Sequence, residues 1–113
     1  MRMNHAISVT LLLGLAAAGP AAAQQPDADA ALALAKRNDC FKCHAIDKTK
    51  KGPAYKRIAS RLRTKPDAVE VIVEHITSGR MVELEDGSHE KHKVVDTTDP
   101  AALQNLARWI LSL

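Results

Sequence analysis

The chain has 113 residues, with 16 Lys or Arg against 13 Asp or Glu and a formal net charge of +3. That length holds one small domain and excludes a multidomain assembly. With one Phe, one Tyr and one Trp, such a domain has few bulky groups to fill its own centre, so it needs a staple.

Met1–Ala23 reads as an export signal. Arg2 and His5 form a short polar start, Ala6–Ala18 is uncharged and largely apolar, and Ala21-Ala22-Ala23 precedes Gln24. The apolar run falls short of the roughly 20 residues a spanning helix needs, and Gly19-Pro20 breaks it. Cleavage near Ala23 is therefore expected rather than an uncleaved anchor, leaving residues 24–113 as one domain in a periplasmic product.

Within that domain, Pro26 and Asp27 open a predicted helix to about Arg37, with Ala28, Ala31, Leu32 and Ala35 at helical spacing. Its alanines allow another helix to approach closely. Cys40-Phe41-Lys42-Cys43-His44 follows directly. Two thiols at i and i+3 on one side of a turn can reach two vinyl groups on one porphyrin edge, and the adjacent imidazole can ligate the iron. The pattern is the attachment signature of one haem c, bound through Cys40 and Cys43 with His44 as axial ligand. Three other readings of the same residues stand beside it. A Cys40–Cys43 disulfide would close a very short loop and stabilise little. A zinc site needs further ligands, for which His89 and His92 are a pair at i and i+3. A thioredoxin-like motif needs a βαβ context that the pattern lacks.

Asp47–Lys51 is a basic loop ending at the turn signal Gly52-Pro53. Tyr55, Ile58, Ala59 and Leu62 then predict a short amphipathic helix from Pro53 to about Leu62. A third helix is expected near Pro66, with Thr64 and Asp67 as a capping pair, an apolar stripe of Val69, Ile72, Val73 and Ile76, and Gly79 as its end. His75 on that helix is expected at the surface.

Residues 80–98 show no helical period. Val82 and Leu84 alternate with Glu83 and Glu85, and Asp86-Gly87 is a hairpin dipeptide. A tight turn there pairs Glu85 with Ser88 and Leu84 with His89, and sets Met81 across from His92. A non-helical stretch that long in so small a domain marks a functional loop. The last helix is capped by Asp99 and opened by Pro100, with Leu103, Leu106, Ala107 and Ile110 on one face and Trp109 near its end.

Charge is unevenly placed. Residues 36–65 carry eleven Lys or Arg against Asp39 and Asp47, whereas residues 66–99 carry nine Asp or Glu against Arg80, Lys91 and Lys93. Such a dipole orients encounters with a charged protein partner, or is simply solvated helix surface. Nucleic acid is disfavoured, because the basic segment carries the haem signature of an exported chain.

With these residues in order, the chain resembles the class I c-type cytochromes, small bacterial monohaem electron carriers. The likeness rests on the first helix running into Cys40–His44, on Gly52-Pro53-Ala54-Tyr55, and on Trp109-Ile110-Leu111 in the closing helix. It implies an all-α fold of about four short helices around one covalent haem, with a non-helical or hairpin loop at 80–98 and the first and last helices crossing. It also implies that the Pro53 carbonyl accepts a hydrogen bond from His44, and that Tyr55 and Trp109 pack near the haem or the helix crossing. The family supplies a methionine followed by proline about sixteen residues before the closing tryptophan. Here Met81 is too distant and precedes Val82, whereas His92 stands seventeen residues before Trp109. His92 is therefore the expected distal ligand, with Met81, His89 and an open site as alternatives. The expected role is one-electron transfer between protein partners, not enzymatic turnover. The alternative is a haem-based sensor binding small ligands at a labile sixth site.

Overall fold

The computed structural model describes residues 14–16 and 25–113. The predicted leader and its cleavage point lie almost wholly outside the described residues. Helix α1 spans Ala28–Arg37 and is capped by Asp27, whose carboxylate accepts from the Ala30 backbone N–H. Asn38 ends it, and Asp39 turns into the left-handed region at φ 57°, a conformation that Asp tolerates better than most residues. That reversal throws the chain into a single 3-10 turn at Cys40–Lys42.

Helix α2 covers Tyr55–Leu62 and α3 covers Ala68–Thr77. Asp67 occupies the cap position of α3, yet its side chain makes no capping bond. The reason is conformational. At φ −102° and ψ 19°, Asp67 is not in the extended form that aims a side-chain oxygen at the first turn. The backbone instead enters through a turn, with Ala68 N–H donating to Lys65 at 3.2 Å. Gly79, at φ 64°, terminates the helix in the left-handed form that glycine adopts without steric cost.

Strands β1 (Met81–Glu83) and β2 (His89–Lys91) form an antiparallel hairpin. Its register differs from the expected one by a single residue. Met81 faces Lys91 and Glu83 faces His89, so Met81 is not set across from His92. Leu84 N–H donates to Ser88 at 2.8 Å and Gly87 N–H to Leu84 at 2.9 Å, with Gly87 at φ 83°. Those bonds define a three-residue loop, a turn at Glu85-Asp86 followed by a left-handed glycine, in place of a two-residue Asp-Gly turn. Asp86 favours it by accepting from the Ser88 N–H and hydroxyl. One residue of slip leaves Met81 across from Lys91 rather than His92.

Helix α4 spans Pro100–Ser112, with Asp99 accepting from Ala101 N–H and Pro100 in the first turn. It packs against α1, α2 and α3. Its buried face is Leu103, Leu106, Ala107, Trp109 and Ile110, and α1 meets it with Ala31, Leu34 and Ala35. Alanines at that crossing bring the backbones close, as the composition of α1 implies. Asn105 locks the crossing by accepting from Asp27 N–H and donating to Asp27 O, both at 2.8 Å. The described residues are thus all-α apart from one small hairpin.

Candidate haem site

Helices α2 and α3 turn half-buried Ile58 and Leu62 and buried Ile72 and Ile76 toward a cavity of about 760 Å³. That volume lies within the roughly 300–1,000 Å³ range of small-molecule and cofactor clefts. Cys40, Cys43, His44 and His92 all line the cavity. Arg61, Lys65 and Arg80 also line it, so a ligand bearing carboxylates meets positive charge there.

The proximal side is built from a few adjacent turns. Cys40 O accepts from both Cys43 N–H (3.2 Å) and His44 N–H (3.0 Å), and Cys43 O accepts from Gly52 N–H (2.8 Å). This doubling back brings Pro53 O within 2.7 Å of His44 Nδ1. A carbonyl can only accept, so Nδ1 carries the proton and Nε2 keeps the lone pair a metal needs. Burial holds the His44 pKa below its ordinary value, against the opposing Pro53 hydrogen bond. That direction favours the neutral ring, the form in which a histidine ligates a metal. The ring stacks on Tyr55, with centroids 5.2 Å apart and planes 24° apart, and Tyr55 in turn meets Trp109 edge-on at 5.9 Å. Gly52 passes so close that a Cβ there would lie 2.8 Å from His44 Cε1.

The two thiols are unpaired. Burial pushes the Cys40 thiol up and raises Tyr55 as well. Among the described residues no cluster of three or more His, Cys, Asp or Glu has metal-holding geometry, which leaves the zinc reading without a site. His89 is exposed on β2 and does not line the cavity.

On the distal side, His92 follows β2 and its N–H donates to Arg80 O at 2.8 Å. Its ring Nδ1 donates to Lys93 O at 2.9 Å, which leaves Nε2 available. The ring centroids of His44 and His92 lie 6.2 Å apart. Two imidazoles bound to opposite sides of one ion at about 2 Å each have centroids about 6 Å apart. The cavity, thiols and imidazoles therefore fit a haem. Met81 lines the cavity but is 58% exposed.

Two residues that sequence reasoning missed hold this side. Asn38 is almost wholly buried at 2% exposure. Its amide donates to Leu34 O (2.9 Å) and Asp96 Oδ1 (3.0 Å) and accepts from Asp96 N–H (2.9 Å). It ties the segment after His92 to the end of α1. His75, expected at the surface, is half-buried, lines the cavity and lies 4.5 Å from His92 between ring centroids. At 100° per residue it sits only 60° around α3 from Ile72, within the arc that faces inward. That angle was the available signal.

The cytochrome c family model matches residues 28–113. Cytochrome c-551 of Pseudomonas aeruginosa is 35% identical over 101 residues, covering 89% of this chain and 93% of that protein. Cytochrome c-552 of Nitrosomonas europaea is 36% identical over 89 residues, covering 79% and 80%. Among solved structures, the class 1 cytochrome MtoD of Sideroxydans lithotrophicus ES-1 superposes with a TM-score of 0.74 at 46% identity, covering 77% of this chain and 96% of that one. Nitrosomonas europaea cytochrome c552 gives 0.58 at 32% identity, covering 72% and 96%. With a haem-sized cavity and both of its cysteines at one wall, this chain belongs to the cytochrome c family, a small class I electron-transfer protein carrying one covalently attached haem c.

Proposed function

We propose that this protein is a periplasmic electron shuttle whose haem iron is held between His44 and His92. The observation that carries the reading is the 6.2 Å pairing of the two rings across the cavity, each with Nδ1 committed to a backbone carbonyl. The haem supplies the one-electron couple; the chain holds it, commits the Nδ1 of both imidazoles to backbone carbonyls and surrounds it with apolar wall. Methionine ligation raises a haem potential, so a second imidazole in its place suits a lower-potential step. The export signal places the shuttle outside the cytosol, and the basic residues 36–65, exposed at Lys48, Lys50, Lys51, Lys56 and Arg57, dock an acidic redox partner.

Optical and EPR spectra of the ferric holoprotein test the ligation. His92→Ala is to lose the low-spin bis-imidazole signature and Met81→Ala to retain it. Because His75 stands near enough to substitute, His92→Ala is also recorded in a His75→Phe background. A low-spin signature persisting there, but lost in Met81→Ala, overturns the assignment.

A further inference from the structure

The cavity wall holds a third imidazole. His75 meets His92 edge to face, with centroids 4.5 Å apart and planes 66° apart. The two rings stand on supports of different stiffness. His75 belongs to α3, anchored in the core by Ile72 and Ile76 on either side of it. His92 stands in the segment after β2, and among the described residues its ring hydrogen-bonds only to the carbonyl of its own neighbour, Lys93. That bond travels with the residue and so cannot by itself fix the ring against the rest of the molecule.

A ligand bound through Nε2 keeps one freedom, rotation of its plane about the bond to the metal. A second ring packed edge to face, its centroid 4.5 Å away and carried on a helix, obstructs that rotation. We propose that His75 is the positioning residue that sets the plane of the His92 imidazole, and thereby holds it at its 46° angle to the His44 plane. The proposal rests on His92 being the distal ligand. Groups that orient a metal ligand tune the metal as well as its affinity, and the angle between two axial imidazole planes governs the anisotropy of a low-spin ferric iron. His75 therefore acts on the iron without touching it.

The test is low-temperature EPR of the ferric holoprotein and its His75→Ala and His75→Phe variants, with thermal unfolding of each as a control for folding. His75→Ala is to stay low-spin, with its principal g values shifted and its lines broadened as the His92 plane is freed. His75→Phe keeps a ring edge in place and is to restore the wild-type line positions and widths. Unchanged g values in His75→Ala overturn the proposal, as does an equal shift in His75→Phe. Loss of the low-spin signal in His75→Ala also overturns it, since His75 would then be the ligand itself. The two failures are separable. The ligation reading fails on His92→Ala in the His75→Phe background, whereas the positioning role fails on His75→Ala with that other result intact.

Discussion

The two sides of the haem cavity are made in different ways. Cys40, Cys43, His44, Gly52 and Pro53 lie in one short stretch, and the bonds that shape it close within that stretch. The other side draws His92 from the segment after β2, His75 from α3 and Asn38 from the end of α1. A side built by near neighbours forms with little loop-closure cost, while one assembled from distant segments depends on every tie that holds them. The proximal side is a motif; the distal side is a consequence of packing.

The most severe way to break that contrast is to remove both thiols. Cys40→Ala with Cys43→Ala is to give a secreted product whose mass shows no haem adduct and whose helical circular dichroism is largely lost, because the cavity-lining side chains lose the body they pack against. Next comes a matched pair. Asn38→Ala removes a buried amide that makes three hydrogen bonds, leaves the part-buried Asp96 N–H without its partner and is to cost about 1–3 kcal/mol, measured by guanidinium unfolding of the holoprotein. Its spectroscopic effect is to appear on the distal side, as a disturbed low-spin signal. Gly52→Ala drives a methyl against the His44 ring and is to cost about 1–3 kcal/mol as overpacking, its effect falling on the proximal ligand. If Asn38→Ala proves silent, the distal side does not depend on its long-range ties.

The smallest effect is on pH. Asn38 and Arg37 hold the Asp96 carboxyl below its usual range. A depressed folded-state value stabilises the fold above the unfolded pKa of about 3.9, and that contribution is lost as pH falls through the lower folded value. The stability gap between wild type and Asp96→Asn is therefore to stay level above about pH 5 and narrow below about pH 4. Asp96 is exposed, so the gap is small. A gap that widens on acidification would show the sign to be wrong.

Helix limits were legible because caps and stops are local. Asp27, Asp99 and Gly79 act where the pattern puts them, and Asp67 misled because its backbone is not in the extended form a capping side chain needs. The hairpin was legible as a hairpin, but its register hung on whether Asp86-Gly87 forms the whole turn or its second half, which neighbouring residues decide by their own hydrogen bonds. Asn38 offered no signal beyond an amide after a helix, since its partner Asp96 is remote in the chain.

The amino-acid sequence alone determined that a haem is stitched to this chain and which two cysteines hold it, because thioether spacing is written in five consecutive residues. Only the tertiary structure decided which side chains gather opposite. It carried His92 to 6.2 Å from His44, turned His75 inward beside it and paired Met81 with Lys91 instead of His92. Those placements follow from helix rotation and strand register, where one residue's difference redirects a side chain entirely.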